Sequence, residues 1–231
     1  MKRTLNQGLE RLGFTALLGL SVLQVGRPVQ ALPEYAGQGS VGVSGLVDGA
    51  NREIHVNSQR AFVRWQRFNV EAGETFRIKG NASQTLLNLV TGSDPSRIAG
   101  MVDSGARFIL ANPNGISVLK GGQILAPSVR LTTARFDPQQ WIKGQSDSAG
   151  VISASGYLSF DPGSAINVEG TIHAKADTNG VGGSIQLLAD QVNLGSSAVL
   201  NATGPKGGGE ILVGGSWQNS QPELGQATEV S

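Results

Sequence analysis

Few side chains in this sequence could do chemistry together, and those few are spread along the chain. Asp94, Arg97 and Asp103 come nearest to the acids and the base with which a β-helical polysaccharide lyase binds Ca²⁺ and removes a proton. Their spacing fits a turn and a solvated loop more simply. His55 and His173 are too far apart in sequence for a zinc site. We therefore expect no catalytic residues and no metal or other cofactor, with a polysaccharide-acting enzyme as the alternative.

A glycine motif near residue 40 raises the question of nucleotide binding. Gly37, Gly39 and Gly42 spell GxGxxG, which holds a pyrophosphate only where a strand leads into it and a helix follows. The next residues, VSG from position 43, begin no helix, so the segment is predicted to be a capping strand at the N-terminal end of the fold. The sequence contains no cysteine, which excludes disulfides and thiolate metal sites.

The most informative stretch is residues 108–118, FILANPNGISV. Apolar residues alternate on each side of its centre, at Phe108 and Leu110 and again at Ile116 and Val118, which predicts two short strands. The NPNG between them suits a tight corner, because proline fixes φ while asparagine and glycine tolerate a left-handed φ. We expect the strands to flank this corner, with a positive φ at its glycine.

The same frame recurs along the chain. It consists of two alternating apolar residues, a five-residue corner and two more alternating apolar residues. Its four copies are Phe68, Val70, Phe76 and Ile78; Phe108, Leu110, Ile116 and Val118; Leu158, Phe160, Ile166 and Val168; and Val192, Leu194, Leu200 and Ala202. Such units predict a solenoid in which each unit covers the core of the next. The alternative is that this alternation is common in any β-rich protein. The residues expected to be buried are Phe68, Phe76, Phe108, Leu110, Ile116, Phe160 and Ile166.

Residues 1–31 are predicted to be a secretory signal peptide. Basic residues precede an apolar run at positions 14–25 (FTALLGLSVLQV), and Val29 and Ala31 suit cleavage after Ala31. The run is short for a membrane span, and a retained N-terminal anchor is the alternative. Without the four basic residues and one acid of this segment the net charge changes from +1 to −2, so nothing points to nucleic acid as a partner.

Composition and local pattern fit one turn-rich β domain. The 231 residues include 33 glycines, and only 15% of them are charged. Val63 and Trp65 differ in parity from Phe68 and Val70, so a bulge or bend near residues 66–67 is needed to turn all four inward.

Later segments carry four further expectations. Residues 94–96 (DPS) could start one helical turn, and residues 136–150 form the most polar segment, which is predicted to be a loop. Asn167 and Asn201 fall at the same place in two copies of the frame, so their side chains could hydrogen-bond along a stack. Residues 218–231 lose the strand pattern.

Four motifs, in order along the chain, resemble a known family. They are residues 63–70 (VRWQRFNV), 87–92 (LNLVTG), 94–100 (DPSRIAG) and 110–116 (LANPNGI). Together they are similar to the N-terminal secretion domain of filamentous-haemagglutinin-type two-partner-secretion (TPS) exoproteins, the haemagglutination activity domain family. The resemblance covers residues 33–137 best, and the GGSIQLLADQV and GGGEILVGGSWQ segments resemble the β-helix that follows in such proteins.

The resemblance implies a fold and a division of the chain. The fold is all-β, a single-stranded right-handed parallel β-helix of the pectin-lyase-like kind with an N-terminal β cap. The expected parts are a signal peptide at 1–31, a TPS secretion domain at 32–137, continuing β-helix coils at 138–217 and an irregular tail at 218–231. Family members are usually far longer, which implies a fragment or a truncated exoprotein.

The resemblance also implies a route and partners. The chain would leave the cytoplasm through the Sec machinery of a Gram-negative bacterium. It would then cross the outer membrane through a dedicated β-barrel transporter whose periplasmic POTRA domains recognise it. The product would be a secreted or cell-surface adhesin of the haemagglutinin type, with a receptor on a host or neighbouring cell. A free-standing surface adhesin module is the alternative.

The site that the resemblance implies centres on the corner at NPNG. Its residues serve transporter recognition or fold nucleation, and they are Asn112, Pro113, Asn114 and Gly115, with Trp65, Gln66, Phe68 and Asn69 beside them. Some family members carry a second Asn-Pro-Asn box upstream, where this chain reads KGNAS at 79–83. The residues leave open whether the box stabilises its own corner or presents side chains that a transporter reads.

Overall fold

The computed structural model describes residues 32–143, 159–177, 179–216, 218, 220–221 and 224–231. The predicted signal peptide with its cleavage site at Ala31, and Leu158 of the third copy of the frame, lie outside the described residues. Within them, twenty β-strands and one short helix, α1 (Pro138–Ile142), make up the regular structure apart from isolated turns and bridges. No helix in this part of the chain is long and apolar enough to cross a membrane.

The strands form three sheets, which we name A, B and C. Sheet A contains, in order across the sheet, β1 (Glu34–Tyr35), β4 (Arg60–Arg67), β7 (Thr85–Val90), β10 (Arg107–Ala111), β13 (Val129–Thr132), β16 (Ser184–Leu188) and β19 (Glu210–Val213). Sheet B contains β2 (Val43–Ser44), β3 (Glu53–Val56), β6 (Thr75–Lys79), β9 (Met101–Ser104), β12 (Gln123–Ala126), β15 (Thr171–Ala174) and β18 (Val199–Asn201). Sheet C contains β5 (Asn69–Val70), β8 (Ser96–Ile98), β11 (Ile116–Val118), β14 (Ala165–Val168), β17 (Gln191–Leu194) and β20 (Glu229–Val230).

From β4 onward the chain visits sheet A, sheet C and sheet B in turn and then starts again, which makes a coil of every three strands. Each strand pairs in parallel with its counterpart in the next coil; Phe108 of β10, for example, lies beside Leu86 of β7 and Val129 of β13. These two coils are therefore 22 and 21 residues long (86 to 108 and 108 to 129). The predicted all-β fold and parallel β-helix are confirmed.

Alternate residues of each strand point into the coil, where they form one continuous apolar core. Val63, Trp65, Phe68 and Val70 all lie in it, because the chain turns at Phe68 between β4 and β5 and so restores the parity. The bend that the sequence required is therefore present. Six of the seven residues predicted to be buried are within this core. The exception is Phe160, which is half-buried and packs on a second cluster outside the coil.

Aromatic rings concentrate in the N-terminal coils of this core. The Trp65 ring meets Tyr35, Phe68 and Phe76 edge-to-face, with centroid distances of 6.5, 5.9 and 5.6 Å. Phe68 continues the contact to Phe108 of a later coil at 5.9 Å. Edge-to-face pairs at these distances add to the stability from buried area alone.

An N-terminal cap covers the first coil, as predicted. Strand β1 pairs antiparallel with β4, and β2 pairs antiparallel with β3. The glycines of the GxGxxG motif lie in the loop between β1 and β2 with φ of +81°, +80° and +70°. At Gly42 a Cβ would lie 3.3 Å from the Cβ of Ala61, and the Ser58 hydroxyl would obstruct it further. The motif therefore serves a close turn in the cap, and no helix follows it.

A second apolar cluster lies on the outer face of sheet A. Phe62, Leu87 and Ile109 point outward there and are covered by Trp141 of α1, which is 1% exposed and donates from Nε1 to the Ala61 carbonyl at 3.2 Å. The loop predicted at 136–150 is thus wrong for residues 138–142. Asp137 caps the helix by accepting from the Gln139 N–H. The apolar face of sheet A supplies the burial that the polar local sequence does not suggest.

The recurring frame does not correspond to a single part of the coil. In the copies that begin at Phe68 and Val192 it spans the corner from sheet C to sheet B, whereas in the copy that begins at Phe108 it spans the corner from sheet A to sheet C. Because the copies span different corners of the coil, the number of residues between successive copies is not constant. Inward and outward positions alternate in the same way in all three sheets, so the pattern alone cannot identify a sheet.

Two local expectations are corrected by the structure. Residues 94–96 form no helical turn, because Ser96 begins β8. Asn167 stacks on Asn193, whose Nδ2 donates to its Oδ1 at 2.8 Å, whereas Asn201 lies in sheet B opposite His173. The predicted pair of Asn167 and Asn201 is therefore wrong, and the ladder belongs to sheet C.

The last residues of the chain rejoin the helix. Strand β20 pairs with β17, and the Ser231 hydroxyl donates to Asn193 Oδ1 at 2.6 Å. Thr228 also donates from its backbone N–H to the Asp190 carbonyl at 2.8 Å. The tail predicted to be irregular from 218 onward thus ends in a strand, because β17 offers it a free parallel edge.

Candidate functional site

The residues singled out by sequence lie at one corner of the helix, stacked on successive coils. At this corner the chain passes from sheet A to sheet C, between β4 and β5, β7 and β8, and β10 and β11. We call residues 65–69, 91–96 and 112–115 the corner stack. Motifs that are some 25 residues apart in sequence, as from Gln66 to Gly92 (92 − 66 = 26), are therefore neighbours in space.

Asn112 is the buried centre of the corner stack, with no exposed surface. Its Nδ2 donates to the Asp94 carbonyl and to the Ser96 hydroxyl, both at 3.0 Å, so it joins its own coil to the preceding one. Its Oδ1 accepts from the backbone N–H of Asn114 at 2.9 Å. A buried amide with both ends satisfied stabilises a single arrangement of the corner.

Asn114 and Gly115 complete the same turn in different ways. Asn114 is exposed, and its Nδ2 donates to the Gly92 carbonyl at 2.8 Å and to Asn112 Oδ1 at 3.1 Å. Gly115 has a φ of +105°, as the sequence predicted, and its N–H donates to the Asn112 carbonyl at 3.1 Å. Pro113 lies between them and is half-buried. The box thus has a buried half and a half that faces solvent.

Trp65 lies inside the coil directly beneath this corner. It has no exposed surface, and its Nε1 donates to Asn88 Oδ1 at 3.0 Å. The Asn88 Nδ2 in turn donates to the Ile109 carbonyl at 3.0 Å. The Trp65 carbonyl accepts from the Thr91 N–H and hydroxyl, at 2.9 and 3.1 Å. Trp65 therefore anchors the corner stack from within and is not itself a surface residue.

Gln66, Phe68 and Asn69 occupy the first coil of the corner stack. Gln66 is exposed, and Phe68 is 1% exposed in the core. Asn69 is half-buried, and its Oδ1 accepts from the backbone N–H of Arg97 one coil further on, at 2.9 Å. The eight predicted residues are thus brought together, but their roles divide between core, turn and surface.

A charged pair ties this corner to the cap. Arg67 donates from Nε and from NH2 to Glu34 Oε2 at 3.0 and 2.6 Å. The hydrogen bond and the negative charge of Glu34 raise the pKa of the Arg67 guanidinium above its ordinary value, and Asp94 of the next coil acts in the same direction. The corner therefore presents arginine, aspartate and amide groups to solvent side by side.

The prediction of individual site residues missed Gly92, Asp94, Ser96 and Asn88. A Cβ on Gly92 would collide with the Gln66 carbonyl, so only glycine allows the two coils to approach this closely. Asp94 and Ser96 accept from Asn112, and Asn88 accepts from Trp65. All four belong to the motifs that carry the resemblance, which was the available signal.

In the coil after the corner stack, a long segment is inserted at the same corner. Residues 133–164 lie between β13 and β14, and they include α1. The excursion is held at its base, where the Thr133 and Ser164 hydroxyls hydrogen-bond at 2.8 Å and Gly115 faces the Ala165 carbonyl. The corner stack thus lies between the cap on one side and the described ends of this segment, at Thr133 and Ser164, on the other.

Three acidic residues of the described chain are engaged in separate contacts. Lys175 donates to Asp103 at 2.8 Å, and Arg135 donates to Asp161 at 2.6 Å. Asp177 accepts from the Val181 N–H, which lowers its pKa. Among the described residues no three His, Cys, Asp or Glu side chains are grouped so as to hold a metal ion. An open groove of about 960 Å³ on the outer face of sheet A is lined by polar residues such as Thr85, Arg107 and Ser128.

The comparisons with known proteins agree with this architecture. The model of the TPS secretion domain family matches residues 35–229. That range begins in β1 and ends at Glu229, the first residue of β20. No curated protein sequence matches the chain significantly.

A solved structure shares the fold. The crystal structure of the HMW1 secretion domain from Haemophilus influenzae superimposes with a TM-score of 0.54 at 22% sequence identity. The match covers 76% of this chain and 45% of that chain, so the present sequence spans less than half of its structural neighbour. Because the family model matches most of the chain and the fold is a β-helix, the chain belongs to the family of TPS secretion domains.

Proposed function

We propose that this chain directs the export of a secreted exoprotein across the outer membrane, and that the corner stack is where its transporter recognises it. The partner is an outer-membrane β-barrel with periplasmic POTRA domains, reached after export by the Sec machinery. The observation that carries the proposal is the division of the NPNG box. Asn112 is buried and builds the corner, while Asn114 is held at the surface on the carbonyl of Gly92.

The division supports recognition because Asn114 has an exposed side chain fixed in one orientation. Its two Nδ2 bonds are made inside the corner stack, while the residue itself is exposed. Gln66 and Asp94 are exposed beside it, on the two preceding coils. A polar surface that is fixed in advance loses less conformational entropy when a partner binds.

Asn114→Ala should reduce secretion through the cognate barrel by about tenfold, the effect of one hot-spot contact at an interface. Its stability should change by less than about 1 kcal/mol, because the lost bonds are exposed. The measurements are the secreted fraction in a strain that carries the barrel and urea unfolding of the purified variant.

Ser93→Ala is the matched control, since Ser93 is exposed on the same corner but makes no hydrogen bond in the structure through its side chain. It should be secreted like the parent chain. Normal secretion of Asn114→Ala would show that its side chain is not read. A loss of secretion in proportion to a loss of stability would assign the box to folding alone.

The proposed route also predicts the N-terminal residue of the mature chain. Cleavage after Ala31 should give secreted material that begins at Leu32, because Val29 and Ala31 fit the small-residue cleavage rule. Leu32 is 4% exposed and packs in the core under the cap, so the cleavage site immediately precedes the fold. Intact-mass measurement of secreted protein tests this, and secreted material that retains residues 1–31 would contradict it.

We propose further that the exported protein acts at the cell surface or in the medium as an adhesin of the haemagglutinin type. The support is the resemblance of the ordered motifs to that group of exoproteins. A cell-binding and glycan-binding assay with the chain from Leu32 onward tests it. Binding by this chain alone would identify a free-standing adhesin module, and binding only by a longer exoprotein would place adhesion elsewhere.

A further inference from the structure

We infer that the hydrogen-bonded pair of Trp65 and Asn88 selects the register between the first two coils, and so assembles the corner stack. Asn88 is the one polar residue that points inward from the described strands of sheet A, and it is fully buried. Its Oδ1 accepts from Trp65 Nε1 at 3.0 Å, across from β7 to β4. Both partners lie in the part of the core where the aromatic rings concentrate.

Apolar burial alone does not fix this register. A slip of two residues between β4 and β7 keeps every inward position inward, because side chains alternate with a period of two. The inward residues of β4 are Ala61, Val63 and Trp65, and those of β7 are Leu86, Asn88 and Val90. After a slip that brings Leu87 beside Arg60, Val63 would lie beside Val90, so the middle of this inward face would still be apolar.

The polar pair distinguishes the registers because a slip separates the Trp65 N–H from the Asn88 Oδ1 that accepts it. In the observed register Val63 lies beside Asn88 and Trp65 lies beside Val90, which puts the indole N–H within reach of the amide oxygen. The other bond of Asn88, to the Ile109 carbonyl, discriminates less, since every register presents a carbonyl. A buried donor without a partner is costly, and a single buried polar residue is known to specify register in other folds.

The register of β4 and β7 decides whether the corner stack exists. The strand ends lead directly into it, where Thr91 donates to the Trp65 carbonyl and Gly92 packs against Gln66. A slip by two residues would place a side chain where only Gly92 fits. Trp65 and Asn88 are in this sense positioning residues for the surface that carries Asn114.

The absence of cysteine from the chain allows a direct test by disulfide trapping. Arg60 and Thr85 are register partners on the outer side of β4 and β7. A pair Arg60→Cys and Thr85→Cys reports the observed register, because adjacent strands are about 4.8 Å apart. A pair Arg60→Cys and Leu87→Cys reports the slipped register, since these residues are now separated by roughly 8 Å, beyond the reach of a disulfide.

The full chain is refolded from urea and then oxidised, in the parent background and with Trp65→Phe and Asn88→Leu combined. Replacing both partners with apolar residues removes the donor and the acceptor of this bond together, so this double variant should still fold. The parent should form the first disulfide almost exclusively. In the double variant the slipped disulfide should increase about tenfold, because one buried hydrogen bond no longer discriminates between the registers.

A composition-preserving exchange, Asn88→Val with Val90→Asn, provides the second measurement. The exchange moves the amide two residues along the inward face of β7. The amide then meets Trp65 only if β7 slips. The disulfide that reports the slipped register should therefore form in larger amount than the one that reports the observed register. If neither variant forms more of the slipped disulfide than the parent, register is set by the corners and the inference is wrong. Register selection needs no transporter, so the trapping result stands whether or not the corner stack is read during secretion.

Discussion

Replacing Phe108 with alanine should lower the free energy of unfolding by about 3–5 kcal/mol, the largest effect we expect from a single change. Phe108 has no exposed surface, and its ring lies 5.9 Å from that of Phe68 on an earlier coil. It also pairs with Leu86 and Val129, so the cavity would face three coils at once. Urea unfolding followed by circular dichroism measures the loss.

Phe160→Ala is the control for this change. Phe160 is half-buried on the outer cluster of sheet A, so its loss removes less buried surface and should destabilise the chain less. Equal effects of the two substitutions would mean that the coil interior is no better packed than the covering layer, which would contradict the continuous core. Circular dichroism of the parent should be of the β type, with little helix.

Asn112→Ala should lower stability by about 2–4 kcal/mol and reduce secretion with it. The substitution leaves the Asp94 carbonyl, the buried Ser96 hydroxyl and the Asn114 N–H without this partner, and a group of this kind costs roughly 1–3 kcal/mol when it is buried and unsatisfied. The secreted fraction and the urea midpoint should therefore fall together, unlike those of Asn114→Ala.

Gly115→Val supplies the comparison within the same turn. Its φ of +105° strains any residue with a side chain, at a cost of about 1–3 kcal/mol. Asn112→Ala should be at least as severe, because Asn112 is completely buried. A variant Asn112→Ala that kept the parent stability would disprove the structural role of this side chain.

The corner and its strands could be predicted from sequence because their requirements are local. Alternation at Phe108, Leu110, Ile116 and Val118 gave the two strands, and the need for a left-handed residue identified Gly115. The grouping of Trp65 and Asn69 with the box depended on a resemblance, since they are separated from Asn112 by nearly two coils. The stacking of the coils brings these distant segments to one corner.

Other features depended on partners that are far away in sequence. Trp141 is buried only because sheet A has an apolar outer face, and Asn193 joins Asn167 only because β17 follows β14 in the stack. The burial of Trp141 cannot be read from residues 136–150 alone, and the pairing of the two asparagines cannot be read from a single strand. The phase of each strand was equally hidden, because three sheets share one pattern of alternation.

Residues 133–164 lengthen the chain without changing the order in which the coils stack. Strand β13 pairs directly with β16, and β11 pairs directly with β14, as though no residues had been added between them. The entropy of closing a loop grows only slowly with its length, so this corner tolerates additions far more easily than any strand does. We therefore expect a foreign epitope inserted at this corner to be displayed on a scaffold whose strand pairing is unchanged.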